Sequence, residues 1–379
     1  MPMAGDVLEG LALALVREGA VEVEVPVASA VRRRGPAARD APVFYNQATE
    51  LGRDASVAVL RAAGREGMSA LDGLAGSGIR GIRYAVEGPP GLELTLNDAD
   101  PVAAALCRRN AARNGLGGCR VTERKLEPLL HEERFDLVDL DPFGSPARFL
   151  AGAVRAVRRG GVLALTATDT PALCGSEQRP CLRRYGARPW RGDAMHEVGL
   201  RILMGAVVRE AARTDLAAAP VLAMAEDHYM RVFLRVTKGA QRADAALRLV
   251  GFAWRGEDGG VATGPHHPHG TTHWAGPLWL GPLHDRAVVE RLAPTEAMGT
   301  RVRLARLREL WLEEADLPPL LVDVNRLSGD VGTPSPPLAR LVEELRARGF
   351  RAGRAHTNPQ GVKTDAPMEE LKSAMRGLG

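Results

Sequence analysis

The feature that most constrains the fold is an alternation of short apolar runs with helical patterns between residues 41 and 240. Four successive strands are predicted by SALDGLA, LELTLNDAD, FDLVDLD and VLALTAT. Helices between them are predicted by GIRGIRYAVEG, PVAAALCRRNAARNG and RFLAGAVRAVRRGG, the second with Pro101 in its first turn and Gly115 as its stop. Strands and helices that alternate in this way favour an α/β fold with a doubly wound, mostly parallel sheet.

The segments on either side predict further elements. AVEVEVP, in a preamble of residues 1–40, predicts an exposed strand, and VRRRGPAARD predicts a basic loop. HEVGLRILMGAVVREAARTD predicts a long helix, and APVLAMAEDHYMRVFLRVTKG predicts two strands. Residues 255–285 are rich in Gly, Pro and His and predict an irregular insertion, whereas residues 286–379 predict mostly helices. We therefore expect two domains, 1–240 and 241–379.

The stretch LDGLAGSGIRG predicts a glycine-rich turn after the first strand of the sheet. Gly76, Gly78 and Gly81 have the spacing of a dinucleotide fingerprint, in which the backbone approaches a ligand near a helix N-terminus. Asp98 ends the next strand, where a carboxylate accepts hydrogen bonds from ribose hydroxyls. This pattern fits either NAD or S-adenosylmethionine. Asp72, at the tip of the first strand, favours the cationic S-adenosylmethionine, because a pyrophosphate gains nothing from an added negative charge.

The stretch DLDPFG places an acid, an imino acid and an aromatic ring at the end of the third strand. In doubly wound sheets the reacting substrate lies at this edge. Asp141, Pro142 and Phe143 resemble the [DNS]-P-P-[FYW] signature of methyltransferases that act on exocyclic amines, with one proline in place of two. A carboxylate and a main-chain carbonyl can accept the two amine hydrogens, the proline stiffens the turn, and the ring can stack on a base.

Composition limits the class of protein further. The formal net charge is +4, with a sequence pI of about 9.1, which permits a nucleic-acid partner without requiring one. No apolar run is long enough for a membrane span, and the apolar LALALV follows Asp6 and Glu9 and is not interpreted as a signal peptide. The cysteines are Cys107, Cys119, Cys174 and Cys181. A reduced, cytoplasmic protein is expected, because no two of them have C-x-x-C spacing and a chain of this size does not need disulfides to fold.

Motifs along most of the chain resemble the tRNA guanine-26 N2-dimethyltransferase family. They are APVFYNQATELGRDASV, LDGLAGSGIRGIRYA, LNDAD, DLDPFGSP, TATDTPALCG, YGA, HEVGLRIL, AGPLWLGPLHD and HTNPQGVKTDAP. The resemblance implies a Rossmann-like class I methyltransferase domain followed by a smaller α+β tRNA-binding domain. It also implies transfer of one or two methyl groups from S-adenosylmethionine to guanine N2 at tRNA position 26.

The resemblance implies roles at the catalytic centre. Asp141 would be the catalytic carboxylate, Pro142 would supply a main-chain acceptor, and Phe143 and Phe44 would sandwich the flipped guanine. Without the resemblance, Phe44 is interpreted as a core residue, since aromatic rings are commonly buried.

The resemblance also implies cofactor contacts. Arg53, with Arg80 or Arg83, would bind the carboxylate of the cofactor, Asp98 would hold the ribose, and Glu123 would lie near the adenine. Taken alone, these arginines also fit an ordinary helix terminus or a solvated helix face. With the glycine turn included, the expected cofactor-binding residues are Arg53, Asp72, Gly76, Gly78, Arg80, Arg83, Asp98 and Glu123.

The sequence departs from the family pattern at two places. Many members carry a four-cysteine zinc site before the AGPLW motif, whereas the segment WRGEDGGVATGPHHPHGTTHWAGPLW contains no cysteine. His266, His267, His269 and His273 lie there instead, and structural zinc sites prefer thiolates, so a solvated or RNA-facing loop without metal is expected. Gln47 replaces the proline that follows F-Y-N in the family.

An arginine-rich stretch, RPCLRRYGARPWRGD, follows the fourth strand and includes Tyr185 and Trp190. Arginines interleaved with aromatic rings suit phosphates and exposed bases, although a generic basic surface loop has the same composition. tRNA is the expected partner, and no obligate protein partner is inferred. The expected tRNA contacts are Arg179, Arg183, Arg184, Arg188, Arg191 and, in the C-terminal motif, Lys363.

Other functions remain open at this point. An amine methyltransferase could act on another RNA, on DNA or on a protein glutamine. The G-x-G-x-x-G spacing alone also fits an NAD-dependent oxidoreductase, against which Asp72 and D-P-F-G argue. A non-catalytic RNA-binding module is disfavoured by the intact Asp141.

Overall fold

The computed structural model describes residue 8 and residues 10–30, 43–226, 228–267 and 269–378, so the basic loop predicted for VRRRGPAARD lies outside the described residues. The described residues form two compact units, each built from several segments. The first unit comprises Met1–Ala167, Phe233–Thr237 and Arg291–Arg306. The second comprises Thr168–Val232, Lys238–Glu290 and Leu307–Gly379. This division differs from the single boundary near residue 240 that the sequence predicts.

Strands and helices alternate up to residue 167. The strands are β1 (Leu13–Glu18), β2 (Val21–Pro26), β3 (Ser69–Asp72), β4 (Glu93–Asn97), β5 (Arg120–Thr122), β6 (Phe135–Leu140) and β7 (Val157–Ala167). The helices are α1 (Val27–Ala30), α2 (Glu50–Ala63), α3 (Ile79–Glu87), α4 (Pro101–Arg113), α5 (Leu126–Glu132) and α6 (Leu150–Ala156).

Helices predominate after residue 167. They are α7 (Thr170–Leu173), α8 (Gln178–Tyr185), α9 (Met195–Ala212), α10 (Ala240–Leu247), α11 (Arg286–Arg291), α12 (Arg301–Glu314), α13 (Val324–Val331), α14 (Leu338–Ala347) and α15 (Met368–Leu378). The strands are β8 (Leu216–Glu226), β9 (Tyr229–Lys238), β10 (Val250–Arg255), β11 (Val261–Gly264), β12 (Trp274–Trp279), β13 (Val322–Asp323), β14 (Ala352–Arg354) and β15 (Gly361–Thr364).

The main sheet has the strand order β5-β4-β3-β6-β7-β9-β8. Neighbouring strands from β5 to β7 pair in parallel, which confirms the predicted doubly wound, mostly parallel sheet. Every residue of β3 and β6 is buried, as expected for parallel strands that are covered on both faces. The register places Asp72 of β3 opposite Asp139 of β6, so their side chains lie on the same face.

Strand β2 exists as predicted, but its predicted exposure is wrong. It pairs antiparallel with β1, and Val21, Val23 and Val25 are fully buried in a core cluster. The alternating acid Glu24 is also largely buried, where Arg109 and Arg113 compensate its charge. The alternation of valine and glutamate in β2 therefore indicates a strand with one face in the core, not a strand exposed on both faces.

Three further expectations from the sequence need correction. The helix predicted for RFLAGAVRAVRRGG ends at Ala156, because Val157 begins the long strand β7. The segment 255–285 is not irregular throughout, since β11 and β12 flank β10 in a three-stranded antiparallel sheet. The arginine-rich stretch begins as helix α8 rather than as a loop.

The C-terminal segment combines α13, α14 and α15 with a small antiparallel sheet of order β13-β15-β14. Their apolar faces share one core cluster that includes Val324, Leu341, Val362 and Leu371. This arrangement confirms the smaller α+β portion that was predicted. Among the described residues, no helix has the length and apolarity needed to cross a bilayer.

Candidate active site

Three acidic residues lie at the carboxyl edge of the parallel sheet. Asp98 follows β4, Asp72 ends β3 and Asp141 follows β6. These strands are neighbours in the order β4-β3-β6, and parallel strands end at the same edge of a sheet. The structure therefore brings these predicted site residues to one edge.

The glycine turn between β3 and α3 requires glycine at each position of the motif. Gly76 and Gly78 have φ values of 54° and 79°, which L-residues rarely adopt. A Cβ on Gly81 would lie 2.4 Å from Leu96 Cδ2, so the helix could not pack so closely on the sheet. Gly76 N–H donates to Asp98 Oδ2 at 2.9 Å, and Asp100 N–H donates to Oδ1 at 3.0 Å.

Asp98 is half-buried and held in place by this turn. Burial raises the pKa of its carboxyl group above the ordinary value, although the backbone donors act in the opposite direction. The carboxylate thus lies beside backbone that glycine leaves uncovered, in the position predicted for a ribose acceptor.

Asp72, at the end of β3, lies inside the fold. It is buried, and its Oδ2 accepts a hydrogen bond from Gly81 N–H at 3.0 Å, which ties α3 to β3. Burial and the neighbouring Asp139 raise the pKa of Asp72 to about 7. Tyr84 OH donates to Asp139. The Asp72 carboxylate is thus used inside the fold, and its predicted place among the cofactor-binding residues stays a prediction.

Asp141 forms an ion pair with Arg80. The Arg80 side chain is largely buried, and its Nη2 donates to Asp141 Oδ2 while Nη1 donates to Ser56 Oγ at 3.4 Å. Burial opposes the Arg80 charge, but Asp141 and Asp139 outweigh it and hold the pKa of Arg80 well above its ordinary value. The Asp141 side chain is 27% exposed, so one carboxylate at this edge is both paired and accessible.

Two phenylalanines lie next to Asp141. Pro142 is buried, whereas Phe143 is 55% exposed, which is uncommon for a large apolar side chain in such a turn. The Phe44 and Phe143 rings meet edge to face, with centroids 4.8 Å apart and an interplanar angle of 85°. A base stacked between parallel rings needs a separation of about 7 Å, which is twice a van der Waals contact. The rings touch each other here, so a sandwich requires them to separate.

Arg53 and Arg83 are engaged with acids inside the first unit. Arg53 Nε and Nη2 donate to Glu18 Oε1 and Oε2 at 2.6 and 2.5 Å. Arg83 is fully buried and bonds with Glu18 at 2.9 Å, with Asp54 at 2.7 Å and with Glu87 at 2.7 Å. The structure does not support the cofactor contact predicted for Arg83, because three carboxylates surround its guanidinium. Sequence reasoning missed Glu18, which no motif marks.

Glu123, predicted to lie near the adenine, directly follows β5 at the carboxyl edge. Its side chain is exposed and pairs with Arg108 at 2.6 Å. Its position at this edge is compatible with the predicted role.

The predicted tRNA-binding arginines occupy helix α8 and the segment after it. Arg179, Arg183 and Arg191 are exposed. Arg184 is also exposed and pairs with Asp169 at 3.0 Å, and Arg188 is half-buried, with its guanidinium 4.7 Å from the Trp274 ring centroid.

The two rings in this stretch differ from each other. Tyr185 is buried and donates its hydroxyl to Asp169 Oδ1 at 2.7 Å, so it offers no face to a base. Trp190 is half-buried, and the Arg255 guanidinium lies 5.6 Å from its ring centroid. The expected interleaving of arginines with stacking rings is therefore only partly present.

The prediction that Lys363 contacts tRNA is wrong. Lys363 lies in β15 with 1% exposure, and its Nζ is 2.9 Å from both Glu197 and Glu314. A lysine can be buried in this way when opposite charges compensate it. Lys363 belongs to the interior of the second unit and is closed to phosphates.

The histidine-rich segment forms no close set of metal ligands among the described residues. His267 packs on Trp274 at 4.3 Å between ring centroids, and His267 and His269 are exposed. The part of the chain that the structure describes contains one group of side chains near enough to share an ion. That group is His284, Glu314 and His356.

Protein groups already occupy most of the ligand atoms in this group, although His356 Nε2 is buried without a hydrogen-bond partner. Ala223 N–H donates to His284 Nδ1 at 3.4 Å, so the proton lies on Nε2, which is 2.9 Å from Glu314 Oε1. Lys363 Nζ lies 2.9 Å from the second Glu314 oxygen and would repel a metal cation. Burial lowers the pKa of His284 to about 4, which keeps the ring neutral. We interpret the group as a structural ion network.

The fold and its edge define a class of protein: a Rossmann-like methyltransferase with a glycine turn and acids at the carboxyl ends of β3, β4 and β6. A family described as N2,N2-dimethylguanosine tRNA methyltransferase matches residues 19–376. The chain therefore belongs to this family.

Individual relatives agree with this assignment. A tRNA (guanine(26)-N(2))-dimethyltransferase of Thermococcus kodakarensis is 40% identical, with 97% of this chain and 100% of the relative covered. The protein of the same name from Methanothermobacter thermautotrophicus is 37% identical, with 96% and 98% covered. A solved structure of Trm1 from Pyrococcus horikoshii with S-adenosyl-L-methionine has a TM-score of 0.86 at 33% identity, covering 96% of this chain and all of that one.

Proposed function

We propose that this protein transfers one or two methyl groups from S-adenosylmethionine to N2 of guanine 26 in tRNA. The observation that carries the proposal is Asp141 at the carboxyl edge of the sheet, accessible and flanked by Phe143 and Phe44. The relative from Thermococcus kodakarensis, which matches nearly the whole chain, is named for this reaction.

The residues at the edge fit S-adenosylmethionine. Gly76 and Gly78 present backbone without a side chain at two positions of the turn, and Asp98 offers a half-buried carboxylate for ribose hydroxyls. The Pyrococcus horikoshii relative is described in complex with this cofactor, which supports it over NAD. When bound, the cofactor supplies an electrophilic methyl group on a sulfonium. Glu123 and the remaining donor capacity of Arg53 complete the proposed cofactor contacts.

The chain's own residues would orient the nucleophile. An exocyclic amine has two hydrogens, and its lone pair is delocalised into the ring. Asp141 accepts one hydrogen and the Pro142 carbonyl accepts the other, which turns the lone pair out of the ring plane. The Asp141 carboxylate would then accept the proton that the amine nitrogen loses when it is methylated. Arg80 fixes Asp141 Oδ2 and compensates its charge.

Phe44 and Phe143 would hold the base. Their edge-to-face contact at 4.8 Å closes the position that the guanine needs, so the rings separate as the base enters. Stacking on such rings contributes about 1–3 kcal/mol per base, which offsets part of the few kcal/mol that base extrusion costs.

The second unit would bind the tRNA backbone. The proposed contacts are the arginines of α8 and the following segment, Arg179, Arg183, Arg184, Arg188 and Arg191. Phosphate neutralisation by arginine supplies affinity that does not depend on base sequence. The proposal also places the enzyme in the cytoplasm, which fits a tRNA substrate and free cysteines at positions 107, 119, 174 and 181.

The test is a methyl-transfer assay with two tRNA transcripts that differ only at position 26. With guanine there, labelled methyl from the cofactor should appear in N2-methylguanosine and N2,N2-dimethylguanosine after nuclease digestion and mass spectrometry. With adenine there, incorporation should disappear. Label in another nucleoside, or equal incorporation into both transcripts, would show that a different amine is the substrate.

A further inference from the structure

Glu18 is a buried acid at the end of β1 that none of the roles described above uses. It accepts bonds from Arg53 at 2.5 and 2.6 Å and from Arg83 at 2.9 Å, and Tyr45 OH donates to its Oε2 at 3.4 Å. Burial disfavours its charge, but the two arginines outweigh burial and hold the pKa of Glu18 below its ordinary value. Glu18 is therefore an ionised carboxylate that binds the guanidinium groups of Arg53 and Arg83 and the hydroxyl of Tyr45.

The Glu18–Arg53 pair reaches the segment of residues 43–49, which we call the entry loop. Arg53 Nη1 donates to Thr49 Oγ1 at 2.5 Å, and Nη2 donates to the Asn46 carbonyl at 3.1 Å. The Arg53 guanidinium also lies 5.3 Å from the centroid of the Tyr45 ring. Glu18 accepts hydrogen bonds from Arg53 Nε and from one hydrogen of Nη2. These two bonds fix the plane of the guanidinium group, and with it the direction in which the remaining N–H groups donate to the loop.

The entry loop carries Phe44. On one side of Phe44, the Val43 carbonyl accepts from Ser29 Oγ at 3.1 Å, and on the other side lie the contacts with Arg53 and Glu18. The Phe44 carbonyl lies 3.1 Å from the place where a Cβ on Gly76 would be, so the loop also approaches the glycine turn closely. The Phe44 ring meets Phe143 at 4.8 Å. A shift of the loop would move this ring.

We propose that Glu18 is a positioning residue, which acts through Arg53 and Tyr45 to hold the entry loop and thereby place Phe44 for the target base. The proposal rests on the proposed function only where it assigns the base to Phe44. Glu18 touches neither substrate nor reacting atoms, and its effect is on the geometry of a ring that does.

The first test is amide hydrogen exchange in the full-length protein without tRNA, comparing Glu18→Gln with Glu87→Gln. Glu87 is a matched control because it is also a buried acid that accepts hydrogen bonds from Arg83. Among the described residues, its hydrogen bonds do not reach residues 43–49. Ala48 N–H and Thr49 N–H are bonded to Asn46, so they report on the loop. Glu18→Gln should speed exchange in a peptide covering residues 44–49 by about tenfold, and Glu87→Gln should not.

The second test is the kinetics of methyl transfer by the same variants. Glu18→Gln should lower kcat/KM for tRNA by about 10- to 100-fold, because small displacements of a positioning group have effects of this size. The Kd for S-adenosylmethionine should weaken less than kcat/KM falls, because Arg53 keeps its charge and the Nη1 group that Glu18 does not bind. Glu87→Gln should leave both quantities near the parent values.

A milder pair of variants keeps the ion pair intact if Glu18→Gln fails to fold. Thr49→Val removes the acceptor of Arg53 Nη1, whereas Thr49→Ser keeps the hydroxyl. Thr49→Val should loosen the loop and lower kcat/KM for tRNA severalfold, and Thr49→Ser should restore both.

Three outcomes would overturn the proposal. The exchange of residues 44–49 could respond equally to the Glu18 and Glu87 variants. The loop could loosen with no change in kcat/KM. The cofactor Kd could weaken in step with kcat/KM, which would place the effect of Glu18 on the cofactor. The exchange test uses free protein, so it reports on loop anchoring even if the chain methylates a different base.

Discussion

Two clusters of ionisable groups, one in each compact unit, lie largely inside the protein and differ in how their charges balance. We call the first the edge cluster: Asp72, Asp139 and Asp141 with Arg80. We call the second the C-terminal ion network: Glu197 and Glu314 with Arg201, Lys363 and the rings of His284 and His356. The first has more acids than cations, whereas in the second Arg201 and Lys363 already equal the two acids in number, and the two histidine rings are additional.

The imbalance has a measurable consequence in the edge cluster. Burial and Asp139 raise the pKa of Asp72 to about 7, so the charged form of Asp72 is disfavoured. In the C-terminal ion network burial acts in the same direction, but cations outweigh it. His356 and Lys363 hold the pKa of Glu314 well below its ordinary value, and Lys363 and Arg201 lower that of Glu197.

The comparison teaches that burial of charge does not by itself mark a functional site. In the C-terminal ion network the charged groups pair with one another and with backbone. Arg201, for example, donates to the carbonyls of Trp279 and Gly281 at 2.9 and 2.8 Å. The edge cluster instead leaves Asp141 accessible beside an exposed aromatic ring. Perturbed acidic groups beside a solvent-accessible carboxylate are the arrangement that active sites commonly use for catalysis.

The largest expected effect comes from neutralising the accessible acid of the edge cluster. Asp141→Asn keeps the shape of the side chain but removes the anionic acceptor, so kcat for methyl transfer to tRNA should fall by about 10³-fold. The Kd for S-adenosylmethionine should stay within about threefold. Radiolabelled methyl transfer and calorimetric titration of the cofactor measure the two quantities.

Asp136→Asn is the matched control on the same strand. Asp136 lies near the start of β6, where its Oδ2 accepts from Ser69 N–H at 2.9 Å, away from the carboxyl edge. Its kcat should remain within about threefold of the parent value. If the two variants were equally impaired, the position of Asp141 at the edge would carry no special meaning.

The next expected effect is on stability and belongs to the C-terminal ion network. Lys363→Met removes the cation between Glu197 and Glu314 and leaves two buried acids short of a partner. The free energy of unfolding should fall by about 3–5 kcal/mol, as measured by denaturant titration. Lys372→Met is the control because Lys372 pairs with the exposed Glu369, and it should cost less than about 1 kcal/mol. A change in tRNA affinity without loss of stability would restore the tRNA contact that the sequence suggested for Lys363.

The difference between the clusters also explains what the sequence could predict. The order of strands and helices placed Asp98 and Asp141 correctly, because parallel strands end at one edge wherever their residues lie in the chain. The ion pairs could not be found in this way. Glu18 lies 35 residues before Arg53 and 65 before Arg83, and no periodicity connects them. Lys363 was expected to be exposed because lysines usually are. Its burial depends on Glu197 and Glu314, which are distant from it in sequence but in contact with it in the fold.

The free energy of unfolding should depend on pH in opposite directions for the two clusters. The pKa of Asp72 is about 7 in the folded protein and near 4 when unfolded, so between these values the folded state binds the extra proton. Its contribution makes the free energy of unfolding fall as pH rises from about 4 to 7, with a slope of up to about 1.4 kcal/mol per pH unit. Asp72→Asn should remove this slope, as denaturant titrations across pH would measure.

His284 provides the opposite slope. Its pKa is about 4 when folded and near 6.5 when unfolded, so the unfolded state binds the extra proton in this interval. Stability from this group is present above about pH 6.5 and is lost as pH falls toward 4. His284→Gln should remove that loss. If both variants changed the pH profile in the same direction, the contrast between the clusters would be wrong.

The smallest expected effect comes from an exposed cation, the reverse case to Lys363. Arg183 lies on the exposed face of α8, where a phosphate can pair with it. Arg183→Ala should weaken tRNA binding severalfold at physiological salt and reduce the slope of log Kd against log salt concentration by about one, for all tRNA sequences alike. Arg213→Ala is the control, since Arg213 is exposed but pairs with Glu210 at 3.5 Å. Filter-binding titrations over a range of salt concentrations give both slopes. Equal slopes for the two variants would show that Arg183 does not contact tRNA phosphates. Arg183 and Lys363 would then differ in burial but not in tRNA binding.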